Sequence, residues 1–153
     1  MAQYHKPMRP HVASKSEGND EYNAWANLFF NNNVRLVVDC DSHTAKTTWP
    51  LEPSTAAGND EGFIQNNLFG TVYAGEGCWG APLRAADDAK SWTRNSGSFN
   101  QFNLIFVAPE KIELRVIRTD NAASVGEVSN VDPFTFPVNL DIWNPSNGDV
   151  VEI

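Results

Sequence analysis

VRLVVDCDSH, residues 34–43, decides how the rest of the chain is read. Residues 34–39 are a nearly continuous apolar run of the kind that forms a strand buried on both faces. The run ends on Cys40, Asp41, Ser42 and His43 in succession. Upstream, the pattern changes from Asn19, and Tyr22, Trp25, Ala26 and Phe29 fall at i, i+3, i+4 and i+7. That spacing predicts one face of a helix running to about Phe30, stopped by Asn31, Asn32 and Asn33. Residues 1–4 then read as the stump of a preceding strand. The order strand, helix, strand predicts a crossover unit in an α/β sheet.

Downstream, residues 54–67 are rich in Gly, Asn and acidic residues and read as a surface loop, followed by a strand over residues 71–74. Residues 75–98, GEGCWGAPLRAADDAKSWTRNSGS, carry three glycines and a proline near their start and predict an irregular loop. FNQFNLIFV (99–107) and KIELRVIRT (111–119) flank APE and predict a hairpin. FTFPVNLDIW (134–143) and DVVEI (149–153) flank NPSNG and predict a second. The expected class is therefore mixed α/β (α+β), a crossover followed by β-hairpins.

A chain of 153 residues fits one domain, and 41% hydrophobic content with five Trp and nine Phe is enough for a sizeable core. The net charge of −8, with 11 Lys plus Arg and no basic cluster, argues against nucleic acid as a partner, because such affinity comes mainly from neutralising phosphates. Acidity suits a collector of cations. There is no run of about 18 apolar residues and no charged, apolar leader, so neither a membrane span nor an export signal is expected in these residues. Localisation stays open, an extracytoplasmic site following only if a longer parent carries such a signal. Cys40 and Cys78 permit one disulfide or stand as two buried thiols.

The three histidines, His5, His11 and His43, each fall at or just beyond the carboxyl end of a predicted strand. In open α/β sheets ligands bind at that rim. Asp41, Ser42 and His43 do not form a catalytic triad, since successive side chains of an extended segment point to opposite faces. Asp41 and His43, two apart, share a face and can address neighbouring metal positions.

With those residues in view, the segment 2–48 resembles the carboxyl half of calcineurin-like metallophosphoesterases, in the purple acid phosphatase branch. That family shows a strand ending in V-x-x-H, a second His about ten residues on, a helix with an inward Trp, another strand, and G-H-x-H. Here the same order reads AQYH with His5, then His11, then Trp25, then CDSH with Asp41 and His43. GTVYAGEGCWGAP (70–82) resembles the strand and glycine turn that follow, and FNQFNLIFVAPEKIELRVIRTD (99–120) the terminal hairpin.

The resemblance implies a metallophosphoesterase-type sandwich, its carboxyl part over residues 1–119 and a β-hairpin extension over 120–153. It implies two metal ions, Fe, Mn or Zn, with His5 on one and His43 on the other. Asp41 stands where the family has the first His of its pair, and Cys40 where it has glycine. His11 would contact the phosphate or protonate the leaving alkoxide of a phosphate ester. In the loop 75–84, Trp79 would supply an apolar wall and Arg84 a phosphate contact, beside their ordinary readings as packing and as a solvated charge. The family's Asp-bearing first strand, G-D-x-x-Y and G-N-H-[DE] motifs have no counterpart here. The chain therefore reads as the carboxyl portion of a longer enzyme, partnered by a missing amino-terminal half and inactive alone. Two alternatives stand beside it: a noncatalytic binding or scaffold module with structural histidines, and a phosphoesterase-like domain that binds one metal or none.

Overall fold

In the computed structural model, residues 1–16, 20–87, 89–129 and 132–153 are described; Asn19, where the helical pattern was expected to begin, Asp88 of the glycine-rich loop, and residues 130 and 131 of the extension lie outside them. Strand β1 (Ala2–Gln3) is followed by helix α1 (Asp20–Asn31) and strand β2 (Leu36–Asp39). β1 and β2 pair in parallel, Ala2 opposite Val37, so the crossover unit is present as expected. The helix end has a local cause. Asn33 takes the left-handed conformation at φ 53°, its N–H bonds back to the Phe30 carbonyl at 3.1 Å, and Val34 N–H to Phe29 at 3.0 Å. Asparagine tolerates that conformation at a helix end better than most residues.

The remaining strands are β3 (Ala45–Thr48), β4 (Leu51–Pro53), β5 (Phe63–Gln65), β6 (Val72–Gly75), β7 (Thr93–Gly97), β8 (Gln101–Val107), β9 (Ile112–Arg118) and β10 (Val151–Glu152), with a 3₁₀ turn at Ala122–Ser124. They form a five-stranded sheet in the order β1-β2-β6-β3-β7, a three-stranded sheet β10-β9-β8, and the pair β4-β5. β2 and β6 run parallel, while β3 runs antiparallel to both its neighbours. The molecule is mixed α+β, mostly sheet, with one α-helix among the described residues.

Alternation along β2 and β6 sorts the core into two layers. Leu36, Val72 and Ala74 join Ala45 and Phe99 on one face, packed against Leu114, Val116 and Val151 of the small sheet. Val37 and Tyr73 point the other way, into a cluster with Met8, Ala26, Leu51, Phe63 and Trp92. Tyr22, Trp25 and Phe29 of α1 lie against that second cluster, so the predicted helix face is the packed one. No helix among the described residues is long and apolar enough to cross a membrane.

Three expectations are corrected. The segment 54–67 is not all loop: Phe63–Gln65 pairs antiparallel with Leu51–Pro53, because Phe63, 2% exposed, needs a buried position that its Gly- and Asn-rich surroundings conceal. The segment 75–98 contains β7, which pairs with β3; both strands are polar in sequence, and tertiary contacts override their weak strand preference. The second hairpin does not form. Val151–Glu152 pairs instead with β9, and Ile142 makes an isolated bridge to Ile117, so both flanks of NPSNG use the small sheet rather than each other. Pro133 and Pro137 bracket the phenylalanines of the first flank and withhold the N–H groups that a strand would need. The first hairpin, β8 with β9, is formed over its whole length.

Candidate functional site

The carboxyl ends of β1 and β2 lie side by side, which puts His5 next to the turn after Asp39. Cys40 N–H bonds to the His5 carbonyl at 2.8 Å, and His5 Nε2 stands 3.6 Å from Asp41 Oδ1. The turn itself is not extended. Asp41 and His43 both occupy the left-handed region, at φ 72° and 60°, a conformation that costs non-glycine residues about 1–3 kcal/mol. The shared-face argument for Asp41 and His43 therefore does not apply; a tight turn, not a pleat, positions them. Ser42 between them is fully buried.

His43 Nδ1 lies 2.8 Å from the Pro82 carbonyl. A carbonyl only accepts, so Nδ1 carries a proton, the arrangement in which a metal-ligating histidine coordinates through Nε2. Arg84 closes the same rim, its guanidinium donating to the Asp41 carbonyl at 3.1 Å and its N–H to the His43 carbonyl at 3.3 Å. Lys15, which no sequence signal distinguishes, donates to Asp41 Oδ2. That hydrogen bond is the main cause holding the Asp41 carboxyl below its usual range, with the nearby charges of Lys15, His5 and Arg84 adding to it. The rim thus collects His5, Lys15, Asp41, His43 and Arg84. Trp79 is 76% exposed and its ring stacks on Phe102 at 5.5 Å.

His11 lies below the rim with no exposed surface. Its Nδ1 is 3.2 Å from Glu76 Oε1 and its Nε2 is 2.8 Å from Thr93 Oγ1, while its backbone N–H reaches Glu76 Oε2 at 2.9 Å. Burial lowers the imidazole's pKa. The ring is then neutral, donating from Nδ1 to the carboxylate and accepting from the threonine hydroxyl at Nε2. Glu76 also accepts from Lys46 at 2.9 Å and Thr44 at 3.3 Å. Lys46 in turn donates to Asp39 Oδ2 at 2.7 Å.

This buried cluster has two carboxylates and one ammonium. Glu76, solvated by His11, Lys46 and Thr44, keeps its charge, the favourable Lys46 and His11 interactions outweighing its desolvation and lowering its pKa. Asp39 has one donor and an Oδ1 without a partner, and burial pushes its pKa up to about 7. Sequence reasoning missed Lys46 and Glu76. The available signal was an acidic residue between two glycines at a strand end, and a lysine inside an otherwise polar strand.

Cys40 is half-buried and Cys78 buried, both as free thiols; burial is the main cause raising both their pKa values. Among the described residues no three His, Cys, Asp or Glu side chains are grouped so as to hold a metal ion. His5, Asp41 and His43 are donor types that metal ions use, and the Asp41 carboxylate already faces His5 and Lys15. No protein-family model matches the chain, and no curated protein is significantly similar to it.

Proposed function

We propose that this chain is the carboxyl-terminal part of a metal-dependent phosphoesterase and contributes one wall of its dinuclear centre. The observation that carries the reading is the approach of His5 to Asp41, from separate strands, at the carboxyl rim of a parallel pair. Support also comes from His43, whose Nδ1 is committed to Pro82 so that Nε2 remains for coordination. His5, Asp41 and His43 would hold the ions, and further donors must come from residues outside this set. Bound there, two such ions polarise a phosphoryl oxygen and lower the pKa of a water.

The chain's own residues have separate roles. Arg84, anchored on the Asp41 carbonyl, offers the rim a permanent positive charge for a phosphate ester. Trp79 offers an apolar wall. His11 sits beneath and orders Glu76, whose carbonyl accepts the His43 N–H at 3.0 Å; its role is to position the rim. The metallophosphoesterase-type sandwich is part of the same proposal, with the small sheet packed on the large one as its remnant.

Lys15 favours a second reading. Its ammonium lies on the Asp41 carboxylate, where a metal ion would compete with it, and a rim neutralised this way suits a noncatalytic module. Cobalt(II) titration followed by visible absorption separates the two. Under the first reading, binding is weak, is lost in His43→Ala and Asp41→Ala, and tightens in Lys15→Ala. Cobalt binding indifferent to all three substitutions overturns the metal assignment. A chromogenic phosphate monoester should show no turnover with the chain alone, whatever divalent metal is added.

A further inference from the structure

A groove of about 410 Å³ runs between the rim of the large sheet and strand β8, bordered by Gln3, Val38, Cys40, Trp79, Phe102 and Ile105 among others. Residues from both faces of β8 line it: Gln101, Asn103 and Ile105 on one, Phe102 on the other. A space that touches both faces of one strand follows the strand's edge. The backbone hydrogen bonds agree. Gln101 N–H points away from β9 and bonds to the Cys78 carbonyl at 2.7 Å, whereas Asn100 and Ala108 bond on the β9 side. Alternation then places the N–H and C=O of Asn103, Ile105 and Val107 on the open side. Among the described residues β8 pairs with β9 and, through the Cys78 bridge alone, with nothing further along that edge.

Asp39, Gln101 and Asn103 line the same groove, and each has a side-chain oxygen that is shielded from solvent and has no partner: Asp39 Oδ1, Gln101 Oε1 and Asn103 Oδ1. Unpaired buried polar atoms cost about 1–3 kcal/mol each, a cost that an incoming chain bearing donors relieves where these side chains turn toward it. No Lys, Arg or His side chain lines the groove, and its one ionisable carboxyl is Asp39. The walls add exposed Trp79 and Met1. The second free edge on this side is β1, which pairs with β2 and no other strand among the described residues.

We infer that the groove is a docking site for an extended polypeptide strand from a partner, which adds to the open edge of β8 beyond Cys78, with apolar side chains on the Trp79–Phe102 wall and amide or basic donors toward Asp39, Gln101 and Asn103. Main-chain pairing supplies the affinity and the alternating side chains the specificity, as in strand addition generally. The inference stands on the edge and its unpaired groups and does not depend on metal binding at the rim.

The probes are fluorescein-labelled peptides of about ten residues that alternate Val or Ile with Lys or Thr, compared with permuted peptides of identical composition and helical spacing. Anisotropy should show the alternating set binding and the permuted set not. Ile105→Pro removes an outward N–H and leaves the β9 ladder intact, since proline is tolerated on an edge; it should weaken binding by about tenfold or more. Phe102→Ser, which leaves every backbone group in place, should weaken it independently. Circular dichroism checks that each variant keeps its fold. Equal binding of alternating and permuted peptides, or binding unchanged in both variants, overturns the inference. Concentration-dependent dimerisation of the chain, abolished by Ile105→Pro, would make the occupant a second copy and overturn the assignment to a separate partner.

Discussion

Replacing Lys46 by methionine keeps most of the side chain's length and removes its charge. The ammonium lost is 2% exposed and donates to Asp39 at 2.7 Å and Glu76 at 2.9 Å. Removing one partner of a buried ion pair costs about 3–5 kcal/mol, because the charge left behind has neither water nor a counter-ion. Counting two hydrogen bonds to charged groups at about 1.5–3 kcal/mol each gives about 3–6 kcal/mol, which overlaps that range. Against a domain stability of about 5–15 kcal/mol, the variant is marginal.

Urea unfolding followed by tryptophan fluorescence at pH 7 measures the loss. A drop of about 3–5 kcal/mol with an unchanged denaturant slope is expected. At pH 5 the drop should shrink, since Asp39 and Glu76 without Lys46 take up protons more readily. Lys46→Met combined with Asp39→Asn removes one of the stranded carboxylates and should recover part of the loss even if the single variant fails to fold. A loss below about 1 kcal/mol at pH 7, the size of an exposed pair, would refute the view that this cluster is sealed from water.

Other outcomes follow from the same geometry. Asp39, raised to about 7 in the folded protein by burial against about 3.9 unfolded, contributes stability that is fully present below about pH 4 and lost as pH rises through 7. Asp39→Asn should flatten the stability profile over that window; an unchanged slope rules out Asp39 as its source. Glu76 acts in the opposite sense and at lower pH, because its pKa is lowered. Gly75→Ala should cost about 1–3 kcal/mol or more, since Gly75 sits at φ 135° and a β-carbon would fall 2.1 Å from the Asp39 carbonyl oxygen; a change within about 0.5 kcal/mol would contradict that fit. Under the proposed metal-binding reading, Asp41→His should shift preference from manganese or ferrous iron toward zinc, softer imidazole replacing a hard oxygen donor; metal competition that ranks these ions as before would remove Asp41 from the proposed ligands.

Periodicity made the packed elements legible and left the polar ones hidden. The α1 face, the apolar β2 and β6, and the β8–β9 hairpin each carried a pattern that the chain alone reveals, because burial on one or both faces demands it. β3 reads AKTT and β7 TRNSG, compositions that fit a loop as well as a strand. All four residues of β3 are nonetheless buried, and Lys46 can be there only because Asp39 and Glu76 meet it from β2 and the end of β6. That meeting is a property of the sheet order, which the sequence does not spell out. The histidines show the same division. His5, just past a strand end, stands beside Asp41, whereas His11 is buried beneath, a position that depends on Glu76 and Thr93, distant in sequence.

The buried cluster explains how a turn with two left-handed residues keeps one shape. Desolvating two carboxylates and a lysine is unfavourable compared with an apolar core of the same volume, so stability alone does not account for them. What they do is tie backbone to backbone. Glu76 holds the His11 N–H with its carboxylate and the His43 N–H with its carbonyl. Asp39, two residues before Asp41, is clamped to Glu76 through Lys46. The segments that carry His11 and Asp39 are therefore tied together by charge-assisted bonds that an apolar substitute could not direct, and the His43 N–H is added to them by a main-chain bond to Glu76. A strand ends on Cys40, Asp41, Ser42 and His43 because the layer under it can hold that strained turn open to the rim.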